Sequence, residues 1–260
     1  MPNQPISDRP VDFGYKQQWL AVWDRDLRAV VEALDLKESK PSTWREGVER
    51  VYDLARHRAG ACAEVFVSPP VLGWTLAVGG VGVVPAVEMP AFVPFFCSLS
   101  ARLGHVQYFG SHRVSCYAAW AKAERGRIVR AYAAVDYTTR VKIGAPTAEE
   151  IELGFDFLDE NATPSEVARH EARVEADRFR MDALRDEIEA MMNVAEARGE
   201  RFDESILDDE RFVSRFDRLI PCEDSVMVLA SRWSIDPMRL EASEVRPGLG
   251  LIGEIWEERS

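Results

Sequence analysis

The chain predicts an α+β fold: a mixed, largely antiparallel sheet covered by helices, with a long charged helical extension. Three observations carry this reading. Short apolar runs of strand length alternate with segments whose apolar residues recur at helical spacing. Two of those runs, Tyr117–Glu124 and Arg127–Asp136, flank Arg125-Gly126, a two-residue loop with glycine second, which suits a primed hairpin turn. Past Asp156 the composition becomes acidic, and the apolar residues fall into a seven-residue repeat.

Taken in order, residues 1–14 read as a loose lead-in. Gln18–Trp23 is apolar and aromatic, a strand stopped at Asp24. Asp24 is expected to cap a helix through Leu27, Val30, Val31 and Leu34. ESKPS is read as a loop. Thr43 and Glu46 have capping-box spacing, and Trp44, Val48, Val51, Tyr52 and Ala55 line one face of the helix that follows. That helix should end at the basic run Arg56-His57-Arg58, whose cations suit the negative end of its dipole.

Glu64–Val67 and Trp74–Val78 are strands joined by the rigid corner SPPVLG. The surrounding run Val65–Val87 is uncharged, but its prolines and glycines argue for buried strands rather than a membrane span. Phe92–Leu103 is a helix with Pro94 in its first turn and Gly104 as its stop. Val106–Phe109 is a strand that Gly110 is expected to end. The hairpin register should pair Ala123 with Ile128, Ala119 with Tyr132 and Trp120 with Ala131. A helix over YAAWAKAE is the competing reading, since alanine favours it. Thr139–Gly144 is a short strand, and Thr147 with Glu150 opens another helix.

Residues 156–218 hold 19 Asp and Glu against 10 Lys and Arg, −9 of the chain's −12. Thr163, Pro164 and Glu166 start a helix that could run to Arg198, where Gly199 stops it, about 50 Å at 1.5 Å per residue. Its seam repeats at Val167, Val174, Met181, Ile188 and Ala195, with His170, Asp177, Leu184 and Met191 between. The first half is polar where a coiled coil wants leucine. Asp224–Trp233 is a helix, a short turn follows Asp236-Pro237, and GLGLIGEIWEE is an edge strand or a docked tail. The expected organisation is a lead-in at 1–14, a core at 15–158, an acidic arm at 159–218 and a C-terminal helix and tail at 219–260 that pack on the core.

A net charge of −12 opposes nucleic-acid binding, which needs a basic face, and suits a basic protein partner. Cys62, Cys97, Cys116 and Cys222 have no metal-site spacing, and residues 1–16 lack the apolar core of a signal peptide. Free thiols and a cytoplasmic location are therefore expected. GxxxxGK[ST], HExxH and GxSxG are all absent, so neither a cofactor nor a metal is expected, and the motifs favour a protein that is not an enzyme. No membrane partner is expected either.

The strings FVSPPVLGWTLAVG, VQYFGSHRV, AWA followed by GRIVRAYA, and GAPT resemble a family of uncharacterised bacterial proteins. The likeness covers Trp19 to Leu158, with RWSIDP near the end, and leaves Asp159–Arg218 as an addition. It implies no activity. In size and acidity the family is similar to immunity proteins that shield bacteria from secreted toxins.

Two functions are thus expected. The first is a non-catalytic protein-binding module, such as an immunity protein masking a basic toxin domain, with Glu166, Glu171, Glu175 and Asp182 on the acidic arm as contacts. The alternative is an enzyme or small-anion binder at the sheet. There His112 would act as base, Arg113 and Arg130 would hold an anion, Tyr108 and Tyr132 would line the site, and Trp74 would form a stacking wall.

Overall fold

A computed structural model describes residues 8–53, 62–80, 85–135, 138–155, 163–202, 221–241 and 248–256. By their contacts, residues 1–149 and 222–260 form one compact unit and residues 150–221 a second. The first unit is built on a nine-stranded sheet. Its strands are β1 (Gln18–Trp23), β2 (Lys37–Ser42), β3 (Cys62–Val67), β4 (Trp74–Gly79), β5 (His105–His112), β6 (Tyr117–Glu124), β7 (Arg127–Val135), β8 (Thr138–Ile143) and β9 (Gly250–Trp256). They lie in the order β2-β9-β3-β4-β1-β5-β6-β7-β8. Every one of these neighbours pairs antiparallel, so the expected mixture is absent from the pairings described.

Side chains alternate across the pleat, so the registers sort them onto two faces. One face carries Leu20, Val22, Val65, Val67, Tyr108 and, from β6 and β7, Ala119, Ala121, Ala123, Ala131 and Ala133. Helices α1 (Leu27–Ala33) and α3 (Phe92–Leu103) cover it and share its apolar cluster. The opposite face carries Trp19, Phe66, Leu76, Phe109, Trp120 and Tyr132. Helices α2 (Trp44–Tyr52) and α6 (Glu223–Trp233) cover that side, and a short helix, α4 (Ala148–Glu152), follows β8 in the chain. With both faces covered, β1 is buried up to Trp23 and β4 is buried throughout, and apart from Gln18 and Thr75 their side chains are apolar, as in buried strands.

Several local expectations hold and several are displaced for identifiable reasons. Thr43 caps α2 by accepting the Glu46 N–H at 3.2 Å. The residue that caps α1 is Asp26, which accepts the Ala29 N–H at 2.9 Å, whereas Asp24 turns the chain with φ +51°. The stretch read as a loop at ESKPS is the edge strand β2. Pro41 is tolerated there because an edge strand leaves half of its backbone groups unpaired. β9 is neither an edge strand nor a docked tail but lies between β2 and β3.

The hairpin turn is primed, with φ +48° at Arg125 and +84° at Gly126. Ala123 faces Ile128, but a register shift beyond that pair aligns Lys122 with Arg130, Trp120 with Tyr132 and Ala119 with Ala133. One extra residue, Val129, accounts for the slip. Residues 8–14 are not loose. Phe13 is buried against Trp19, and Asp8 accepts the Trp44 N–H at 2.9 Å. Arg56-His57-Arg58, Asp136, Asp156, Leu158, Asp159 and positions 203–218 of the acidic stretch lie outside the described residues.

The second unit contains α5 (Pro164–Ala197), 34 residues long. Its start is a full capping box: Glu166 N–H donates to Thr163 Oγ1 at 3.3 Å, and Thr163 N–H donates to Glu166 Oε2 at 2.8 Å. Gly199, with φ +69°, follows its end. Among the side chains described on α5, those less than fully exposed are Val167, His170, Val174, Asp182, Leu184, Ile188, Met191 and Ala195. All but Asp182 belong to the seam expected from the seven-residue repeat. No helix among the described residues is long and apolar enough to cross a membrane.

The close crossing of α2 over the sheet yields a test. A Cβ on Gly47 would sit 2.2 Å from Cδ2 of Phe66, whose ring is also pressed by the backbone of Gly250 from β9. In an exposed helix, Gly47→Ala would stabilise by about 1 kcal/mol. Here overpacking, roughly 1–3 kcal/mol, opposes that gain and exceeds it. Urea denaturation of Gly47→Ala should give a lower midpoint than the parent chain; a higher one would mean that α2 is not held this close.

Candidate functional site

The site is built where β1, β5 and β6 run side by side toward the His112 end of the sheet. Gln18 pairs with Gly110, which pairs with Ala119, and His112 pairs with Tyr117. Gly110 does not end β5; it lies inside it. A Cβ there would meet the Tyr108 hydroxyl at 2.8 Å and Cε1 of Tyr117 at 2.9 Å. The missing side chain is therefore the space into which both phenols lean, a recognised use of glycine in a strand.

The result is a short polar chain on an otherwise apolar face. The Tyr108 hydroxyl donates to Gln18 Oε1 at 3.0 Å and lies 3.3 Å from the Tyr117 hydroxyl. Burial pushes the Tyr108 phenol well above its usual range. Tyr117 is pushed up by burial and then by Tyr108 and Glu88, while a main-chain hydrogen bond from Val87 works the other way. Both hydroxyls therefore stay protonated through neutral pH. Gln18 is buried, and its Nε2 has no hydrogen-bond partner among the described residues.

Gln18 and Tyr117 also line a cleft of about 1330 Å³. Its apolar walls come from Leu34 of α1, Phe95 and Leu99 of α3, Pro85 and Met89 of the segment before α3, and Trp256 of β9. Its polar rim near the floor holds Lys16, Glu88, Ser111, His112 and Ser115. The His112 ring sits at the exposed rim, with Nδ1 3.0 Å from Ser115 Oγ.

The residues proposed from sequence do not converge. His112 reaches the cleft. Arg113, one residue on, turns away: its guanidinium donates to Glu223 Oε2 at 3.0 Å and lies over the Tyr15 ring at 5.5 Å. Tyr108 lies beneath the floor on the α3 side, fully buried. Arg130 and Tyr132 are on the opposite face. Arg130 is buried and donates to the carbonyls of Gly144 at 3.0 Å and Ile143 at 3.3 Å; Tyr132 stacks on Trp120 at 4.7 Å. Trp74 is buried on that same face, at the other end of β5, edge-on to His105 at 5.5 Å. An anion site shared by His112, Arg113 and Arg130, walled by Trp74, is thus excluded by the pleat and by the length of the strand. Gln18, Tyr117 and Glu88 were missed; the signal for the first two was Gly110 itself, an isolated glycine in a strand pattern.

On the acidic arm, Glu166 closes the capping box, and Asp182 lies 3.0 Å from the exposed Arg185, a contact worth little in water. Glu171 and Glu175 are exposed. The four cysteines are free thiols. Among the described residues no cluster of three or more His, Cys, Asp or Glu side chains is placed to hold a metal ion.

His105 gives the fold a pH dependence at the opposite end of β5. Burial, with Lys122 assisting and Glu124 opposing, holds its pKa below the usual value. The unfolded chain therefore binds the proton more tightly than the fold does. The contribution is full above about pH 6.5 and is lost as pH falls through the depressed folded value. The melting temperature should drop below that pH, and His105→Gln should flatten part of the drop; an unchanged slope would place the loss elsewhere. No family model matches this chain, and neither the curated proteins nor the solved structures contain a significant match to it.

Proposed function

We propose that the protein binds a small molecule in the cleft beside α3, with an apolar body along Phe95, Leu99 and Met89 and a polar end on Gln18 and Tyr117. The observation that carries this reading is the buried Gln18 amide: Gln18 lines a large cleft, and its Nε2, shut off from solvent, has no hydrogen-bond partner among the described residues. An unpartnered buried amide costs about 1–3 kcal/mol, a cost that a ligand would relieve. Trp19 Nε1 and Gln107 Oε1 also lack partners, but they do not line this cleft. A concave, mostly apolar site with a few convergent polar groups is the usual form of a small-molecule pocket.

The test uses Nile red, an uncharged apolar dye, with the full chain. Saturable fluorescence enhancement is expected, and Ser98→Trp, which fills the cleft from an exposed position on α3, should abolish it. No saturable binding, or binding untouched by Ser98→Trp, would remove the reading.

A second reading is a protein-binding function through α5, of the kind an immunity protein uses to mask a basic toxin domain. It is supported by the exposed Glu171 and Glu175 on a long acidic helix. Steering by such charges is salt-sensitive. Capture of a basic partner from native lysate should fail at high salt and in Glu171→Lys/Glu175→Lys. Capture indifferent to both would rule the arm out as the contact.

A further inference from the structure

We infer that the floor of this cleft selects an uncharged polar head group, a carboxamide, hydroxyl or ketone on an apolar body, over a carboxylate or an ammonium. This rests on the small-molecule reading and names the class of ligand the cleft would take.

The reasoning starts from the polar chain Gln18–Tyr108–Tyr117. Run one way, Tyr117 donates to Tyr108 and Tyr108 donates to Gln18 Oε1. The free ends are then the Gln18 N–H groups, as donors, and the lone pair of the Tyr117 oxygen that the Val87 N–H does not occupy. Run the other way, with the amide turned over, Gln18 donates to Tyr108 and Tyr108 to Tyr117. The free ends become the Tyr117 O–H and the Gln18 carbonyl. In both directions the floor presents a donor and an acceptor together. Amides and alcohols match both, and a ketone matches the donor; a carboxylate only accepts and an ammonium only donates.

Charge points the same way. Gln18, Tyr108 and Tyr117 are neutral, with both phenols held protonated. Among the described residues, the cations of the cleft wall are engaged or exposed. Lys37 lies 2.5 Å from Asp35, Arg102 donates to the carbonyls of Ala33 and Glu32 at 2.8 and 2.9 Å, and Lys16 is exposed. The charge felt by both phenols is that of Glu88, which is negative and opposes a carboxylate on the floor. Among the described residues that line the cleft, the carboxylates Asp35 and Glu88 are both exposed, so an ammonium on the floor would find no buried carboxylate beside Gln18. Burying either ion there costs far more than burying a hydrogen-bonded neutral group.

The experiment measures displacement of Nile red from the full chain at pH 8. The competitors share one chain length: octanamide, 1-octanol, sodium octanoate and octylamine hydrochloride. The amide and the alcohol should displace the dye at concentrations at least about tenfold below those of the two ions. Gln18→Leu and Tyr117→Phe should shrink that ratio, each compared with its own dye affinity. Tyr117→Phe removes only a hydroxyl and so guards against a folding defect in Gln18→Leu. Octanoate or octylamine matching octanamide would overturn the inference. So would a preference that survives in both variants, because it would reflect partitioning alone. In either case the dye still binds and the cleft reading stands; absence of saturable dye binding would end both.

Discussion

The close seating of α3 on a bed of alanines is the contact on which the first unit depends. Ala119, Ala121, Ala123, Ala131 and Ala133 are fully buried on one face of β6 and β7. Their small side chains let a helix approach closely enough for Phe92, Phe96, Leu99 and Leu103 to be buried in the same cluster as Leu20, Val22 and Val106. Phe92 and Phe96 stack at 4.9 Å, and Phe92 meets the Tyr108 ring edge-on at 5.2 Å. A larger residue at any of these alanines would lift the helix or force strained rotamers. The bed is polarised along the sheet. It serves the β5–β7 half, while α1 covers the β9–β4 half, and the cleft takes its walls from both helices.

The candidate site follows from that packing. Because α3 fixes Tyr108 from one side, its hydroxyl can reach only toward Gln18 and Tyr117, across the space that Gly110 leaves open. The exit of β5 is held separately. Glu223, at the start of α6, accepts from Arg113 and from the Lys16 N–H at 3.1 Å, and Asp224 accepts from the Tyr15 hydroxyl at 3.0 Å. Two helices on opposite faces therefore fix the two walls of one corner, and the polar chain lies between them.

What the sequence could and could not convey follows from which forces were local. Gln18–Trp23 and Phe92–Leu103 were read to the residue, because apolar content and stop signals coincide there. The cap at Thr43 and the box at Thr163 were legible because a cap depends on four consecutive residues. β2 was not, since an edge strand such as KESKPS needs no apolar face and takes its pairing from distant β9. The slip at Val129 was hidden for a related reason. Both faces of the hairpin are alanine-rich, and alternation pins register only where one face differs from the other. The candidate residues around His112 were read as one group from closeness in sequence. Period-2 alternation sends Tyr108 and Tyr132 to opposite faces, and the strand's length separates Trp74 from His112. Gly110 carried the information and was read as a stop rather than as a space.

The position of β9 has a consequence for how the chain reaches this state. β3 is synthesised long before β9, yet one of its two edges is completed only by Ile252 and its neighbours. Until those residues emerge, β3 offers an open row of backbone donors and acceptors, and β2 has no strand beside it. Such long-range pairing folds slowly and leaves a sheet edge open to association with other chains. The nascent protein thus carries an unfinished flank from the synthesis of β3 until β9 emerges. The side of the cleft that Trp256 supplies forms only with β9, so ligand binding and completion of the sheet arrive together.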